Sequence, residues 1–201
     1  MKLMRQNDGR QGGNRRRRFA QIVVATMAGL VLAGSVTAAA PKPKDSLEAR
    51  IKAVVLTKVL LFVDLDRRHE NGEELTIAIF GSSDLEPHLE EAFEGFGERY
   101  GRLRIQEVHS LADLTGADVV FVPGGSAVDI CALVRQARAE GALTVTDSAE
   151  GTNAGVMIGL IRDRNRVTIR VNNEEAQAAG VRISSKLLQL ASVVRTTSEC
   201  E

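Results

Sequence analysis

VVFVPGGSAVDICALVRQARAEGALTVT, residues 119–146, is the stretch on which the fold turns. Val119-Val120-Phe121-Val122 is apolar without a break, the composition of a strand covered on both faces. Pro123-Gly124-Gly125-Ser126 interrupts it with turn residues. Residues 128–139 then read as an amphipathic helix, and Ala142-Leu143-Thr144-Val145-Thr146 as a second β-rich run. Strand, glycine turn, helix, strand is the order of a crossover between parallel strands.

The flanking sequence repeats the alternation. Leu75-Thr76-Ile77-Ala78-Ile79-Phe80 reads as a strand ended by Gly81, residues 85–98 as a helix, and residues 103–108 as a strand. After residue 154 the pattern changes. Residues 155–161 and 166–172 are β-rich and joined by Arg162-Asp163-Arg164-Asn165, a hairpin expected to extend the sheet edge in the antiparallel sense. A short helix over 174–179 stops at Gly180. Ser184 caps a closing helix with a buried stripe of Leu187, Leu188, Ala191 and Val194. The expected class is α/β: one mixed, mostly parallel sheet flanked by helices, with a C-terminal hairpin and a closing helix. Residues 47–65 read as a first helix, capped by Asp45 or Ser46, with residues 66–74 as a charged loop. Its second half, with Leu56, Leu60 and Val63, is apolar almost all round. Such a helix is either the centre of the core or packed against a dimer mate.

The N-terminus carries seven Lys or Arg and one acid before residue 19, then an apolar stretch over 22–36, then Thr37-Ala38-Ala39-Ala40. A basic region, an apolar core and an A-x-A exit describe a secretory signal, with cleavage expected after Ala40. Residues 19–40 are also just long enough to remain as a membrane anchor. Arg16-Arg17-Arg18-Phe19 matches a twin-arginine signal only weakly. The expected organisation is a signal over 1–40, a linker over 41–46, an α/β domain over 47–195 and a flexible tail over 196–201. Removing residues 1–40 lowers Lys plus Arg from 26 to 19 and Asp plus Glu from 26 to 25, a net charge of −6. An acidic domain argues against nucleic acid or anionic lipid as partner. Without a lipid-attachment cysteine after the signal, no direct membrane insertion is expected once it is cleaved. Cys131 lies in the helical pattern, where a thiol packs as a small hydrophobe, and Cys200 lies in the tail. A bridge between them would require much of the tail to order, and the sequence argues against it.

Candidate chemistry is sparse. His69, His88 and His109 stand in separate segments without metal-ligand spacing, so neither a metal nor a cofactor is expected. Gly124-Gly125 after a strand fits an anion-binding turn, but a tight turn that needs glycine accounts for it. Asp147-Ser148 also follows a strand end and has no identifiable base partner. Arg162, Arg164 and Arg166 form a basic hairpin tip, either solvated or facing an acidic partner.

The sequence GTNAGVMIGLIRDRNRVTIRVNNEEAQAAGVRISSKLLQLASVV resembles the YfiR family of small periplasmic proteins. Gly155, Met157, Ile158, Asn172, Ala176, Gly180, Ile183, Ser184, Ser185, Leu187, Leu188, Leu190 and Ala191 fall on that family's C-terminal pattern. KAVVLTKVLLFVDL resembles its first helix. The chain departs from the family at Leu65-Asp66, where a Trp-Pro is usual, and at Ala78 and Ala117, where the family carries cysteines. One of the family's glycine pair before Met157 is Val156 or Ala154. The resemblance implies a non-enzymatic regulator, acting as a homodimer. It would bind and repress the periplasmic part of an inner-membrane sensor, typically a diguanylate cyclase, and so govern cyclic-di-GMP. By that reading the motif or contact residues are Leu56, Leu60 and Val63 on the first helix, with Gly155, Met157, Ile158, Arg170, Asn172, Ser184 and Ser185. Two other readings remain: a small-molecule binding module using Gly124-Gly125 and residues 147–153, and a hydrolase built on Asp147 and Ser148.

Overall fold

The computed structural model describes residues 47–65, 74–94 and 100–197. The expected signal, linker, helix caps at Asp45 and Ser46, most of the charged loop, the end of the second helix and the last tail residues lie outside the described residues.

The elements follow in chain order. They are α1 (Leu47–Leu60), β1 (Val63–Asp64), β2 (Glu74–Phe80), α2 (Glu86–Phe93), β3 (Arg102–Val108), a 3-10 turn (Leu111–Leu114), β4 (Val119–Val122) and α3 (Ile130–Glu140). There follow β5 (Leu143–Thr146), α4 (Ala149–Asn153), β6 (Ile158–Asp163), β7 (Arg166–Val171), α5 (Asn173–Ala178), β8 (Arg182–Ile183), α6 (Ser185–Leu190) and β9 (Ser192–Val193). Seven strands form one sheet in the order β3-β2-β4-β5-β6-β7-β9. β3, β2, β4, β5 and β6 are parallel, and β7 runs antiparallel to β6, with Ile158 opposite Val171 and Asp163 opposite Arg166. β1 and β8 make a separate antiparallel pair. The expected α/β class is therefore what the chain adopts.

β4 shows why an unbroken apolar strand forms here. Val119 and Phe121 face one core with Leu56, Leu60, Ile77, Ile79 and Val145. Val120 and Val122 face a second core with Leu133, Ala137 and Leu114. Alternate side chains leave a strand on opposite faces, so both faces must be apolar. α3 begins at Ile130 because the Asp129 carboxylate accepts from the amides of Cys131 and Ala132, at 2.9 and 3.2 Å. It ends at Gly141, whose φ of 68° is left-handed.

Several expectations are corrected. α1 stops at Leu60 rather than 65, because the next residues pair across the molecule: the Ser184 amide donates to the Phe62 carbonyl at 2.8 Å, and Val63 pairs with Ile183. The hairpin does not form the sheet edge, since β9 adds alongside β7 in parallel register. The closing helix ends at Leu190, and Val194 is not in its stripe, because its amide donates to the Val171 carbonyl as the chain turns extended. Cys131 is disulfide-bonded, against the expectation of a thiol; Cys200 lies outside the described residues. None of the described helices is long and apolar enough to cross a membrane.

Candidate functional site

Going outward from β2, the chain places β3 on one side and β4 on the other. The carboxyl ends of strands at such a reversal leave a crevice between diverging loops. Here the crevice holds about 550 Å³. Ser82, Ser83 and Asp84 line it after β2, Pro123 and Gly124 after β4, and Asp147 after β5.

α1 supplies its floor. Glu48 and Lys52 are one turn apart, so both reach the same side of the helix. The Lys52 side chain is 9% exposed, and its ammonium lies 2.7 Å from Glu48 Oε1 and 2.8 Å from Asp147 Oδ2. Asp147 Oδ1 accepts from the Gly124 amide at 2.6 Å. A Cβ on Gly124 would sit 3.2 Å from that oxygen and 3.3 Å from Ser148 Cβ, so close approach calls for glycine there. Arg162, from β6, donates through Nη1 to Glu48 Oε2 at 2.6 Å. A continuous chain of charge thus joins β6, α1, β5 and the β4 turn.

Burial alone would depress the Lys52 ammonium, but the hydrogen bonds it donates to Asp147 and Glu48 outweigh it and hold its pKa above 10.5. The Lys52 hydrogen bond holds the Glu48 carboxyl below 4.5 against its own partial burial. Both groups are charged throughout the physiological range.

Asp147-Ser148 is not arranged as a nucleophile and base. Asp147 is committed to Lys52 and Gly124. The Ser148 hydroxyl caps α4, accepting from the Gly151 amide at 3.1 Å and donating to Glu150 at 2.7 Å. No group of side chains among the described residues could hold a metal ion.

The residues singled out from the family pattern fall in three places. Leu56, Leu60, Val63, Met157 and Ile158 are in the core, and Gly155 is buried. Asn172 is fully buried, where it accepts from the Glu175 amide at 3.2 Å and donates to Thr196 at 2.8 Å. Ser184 caps α6 at 3.3 Å to the Lys186 amide, while Ser185 is exposed and Arg170 half-buried. The exposed apolar residues of α1 and the turn after it are Leu47, Ile51, Val54 and Leu61. Leu47 and Ile51 border a groove of about 280 Å³ whose other wall is Arg164, Arg166 and Val167. The sequence reading named Gly124, Asp147 and Arg162 separately but missed Lys52, which joins them through Glu48; the Glu48–Lys52 spacing was visible, but it also describes an ordinary solvated pair.

A search of curated proteins finds no match. The fold is similar to the ABC domain in complex with L-Trp from Streptococcus pneumonia, with 14% identity, 73% of this chain and 60% of that one covered, and a TM-score of 0.52. It is similar to a conserved domain protein from Vibrio cholerae O1 biovar El Tor strain N16961, with 12% identity, coverage of 72% and 59%, and a TM-score of 0.50. A weaker likeness, TM-score 0.47 at 12% identity with coverage of 71% and 59%, is to CD0873, a substrate binding protein with adhesive properties from Clostridium difficile. The chain spans about three fifths of the length of these structures, and the likeness to the first two is one of fold. The YfiR/HmsC-like model, DUF4154, matches residues 49–192, from the first turn of α1 to the last strand of the sheet. With well over half of its length matched, the chain belongs to the YfiR/HmsC-like family.

Proposed function

We propose that this protein is a periplasmic regulator that binds and represses the periplasmic part of an inner-membrane signalling protein, a diguanylate cyclase, and thereby lowers cyclic-di-GMP. Membership of a family of periplasmic regulators carries the reading. The basic, apolar, small-residue order of the first forty residues supports export with cleavage after Ala40.

The contact face we assign is the outer side of α1. Leu47, Ile51 and Val54 recur at helical spacing and are exposed, while the opposite side of the helix fills the core. A second copy of the chain or the cyclase would cover this stripe, and Arg164 and Arg166 beside it favour an acidic segment on the partner. The core positions Leu56, Leu60 and Val63 would act by setting the pose of α1 rather than by touching the partner. Repression is then a population shift, its extent fixed by the difference in affinity for the partner's two states.

The experiment is capture of solubilised inner-membrane proteins by residues 41–201, with cyclic-di-GMP measured with and without the gene. Recovery of a cyclase and a rise of cyclic-di-GMP in the deletion strain are expected. Flat cyclic-di-GMP with no membrane partner captured would overturn the reading.

A further inference from the structure

We propose that the crevice at the carboxyl ends of β2, β4 and β5 binds a small organic carboxylate that also carries an ammonium or hydroxyl group. Its place at the strand-order reversal and its volume of about 550 Å³ suit a small ligand. The lining selects the chemistry. Two cations, Lys52 and Arg162, share the space with three carboxylates, Glu48, Asp84 and Asp147. A simple anion would meet three like charges and a simple cation two. A molecule bearing an acid at one end and a hydrogen-bond donor at the other satisfies both sets.

Particular atoms take each end. Arg162 engages Glu48 through Nη1 and the Arg164 carbonyl through Nε, which leaves Nη2 without a partner among the described residues. A guanidinium edge of this kind is suited to a carboxylate. Asp84 and Ser82, from the loop after β2, are exposed and line the same crevice, both able to receive an ammonium or hydroxyl. Phe121, Leu85 and Ala49 give the crevice apolar wall for a short carbon stem. The floor is rigid, because Lys52 is clamped from both sides at 2.7 and 2.8 Å. A buried ammonium such as Lys52, paired with two partly exposed carboxylates, adds little to stability over an apolar replacement of the group, so its presence beneath an open crevice points to use.

The crevice also adjoins the proposed contact helix. Glu48 and Lys52 sit on α1, whose outer side carries Leu47, Ile51 and Val54. Ligand that draws Arg162 from Glu48 would loosen one tie of α1 to the sheet and alter that face. This regulatory step rests on the proposed partner binding; the ligand site does not.

The test is titration calorimetry on residues 41–201 with the standard L-amino acids and, separately, with L-lactate, D-glycerate and L-malate. At least one probe is expected to bind with one-to-one stoichiometry. Arg162→Gln and Asp84→Asn, both substitutions of exposed side chains, are each expected to weaken it by roughly tenfold or more. A response to amino acids alone identifies the ammonium as the second group, and an equal response to hydroxy acids identifies the hydroxyl. Absence of binding by every probe, or binding that neither variant weakens, would overturn the proposal. Bound ligand that leaves partner capture unchanged would remove the regulatory step and keep the site. Failure to capture any partner would leave the calorimetric result standing.

Discussion

Lys52 is the residue at which fold and site meet. Its ammonium is shared by two carboxylates whose side chains are 29% and 24% exposed. Replacing it with Met leaves Glu48 with Arg162 alone and Asp147 with the Gly124 amide alone, two carboxylates facing each other without the cation they shared. Breaking a fully buried pair costs about 3–5 kcal/mol; with both acids in partial contact with water, the expected loss is about 1–3 kcal/mol. Arg162→Gln removes a pair whose arginine is 63% exposed, and the expected loss is under about 1 kcal/mol. Urea unfolding of the two variants beside the parent measures the difference. The same cluster fixes a pH dependence. Glu48 has a folded-state pKa below 4.5, so its contribution is full above that value and is lost as pH falls through the lower, folded one. Lys52 is raised above 10.5, so its contribution is full below that value and is lost as pH rises through the folded pKa. Stability is therefore expected to be flat in these two groups between the limits. Below pH 4.5, Glu48→Gln should fall less steeply than the parent. It should not become flat, because Asp113 and Glu150, lowered by their bonds to Ser110 and Ser148, still titrate. A Glu48→Gln curve parallel to the parent's through the acid limb would contradict this assignment.

At the scale of elements, the clearest expectation concerns β6 and α4. Gly159 in β6 lies so close to Thr152 that a Cβ would overlap its hydroxyl, with Ile161 and the Arg170 Cβ also near. Thr152 is fully buried and its hydroxyl donates to the Ser148 carbonyl, so it cannot turn away. Gly159→Ala is expected to cost about 1–3 kcal/mol by overpacking, and Thr152→Ala in the same chain to recover part of that loss. Thermal unfolding of both proteins reads it, and a silent Gly159→Ala would show that α4 shifts freely. α1 is the other informative element. Val54→Asp changes an exposed position and is expected to leave stability within about 0.5 kcal/mol while abolishing partner capture. These two elements also mark what the sequence could reveal. β4, β5 and the hairpin were legible because their patterns are set by burial that any register of the same sheet would impose. The ends of α1 and α6 were not, because Val63 and Val194 answer to partners more than a hundred and about twenty residues away, respectively. A two-residue strand has no periodicity to read. Lys52 was hidden for a related reason: a lysine one turn from a glutamate has the appearance of a solvated pair until Asp147 is brought over it.

For the whole molecule, the decisive feature is that the last segment closes the first. β8 pairs with β1, the Ser184 amide reaches the Phe62 carbonyl, and Asn172 is held by Thr196. Val181 and Leu187 sit in the same core as Leu60, Val63, Ile158 and Ala176. Deleting residues 181–201 would strip β8, α6 and β9 together and uncover that core. Each large side chain exposed forfeits about 1.5–3 kcal/mol, and several would be lost at once from a domain whose total stability is about 5–15 kcal/mol. The truncated chain is expected to lack a cooperative unfolding transition and to bind a hydrophobic dye. It should also capture no partner, since the pose of α1 depends on the same closure. Leu190→Ser, at a position 76% exposed, is the matched control and should unfold as the parent does. A cooperative transition in the truncated chain would mean that the five parallel strands and their helices stand without the C-terminal segment. The specific run of caps and strands from Asn172 to Val193 would then need a reason other than folding, and partner contact would be the first to test.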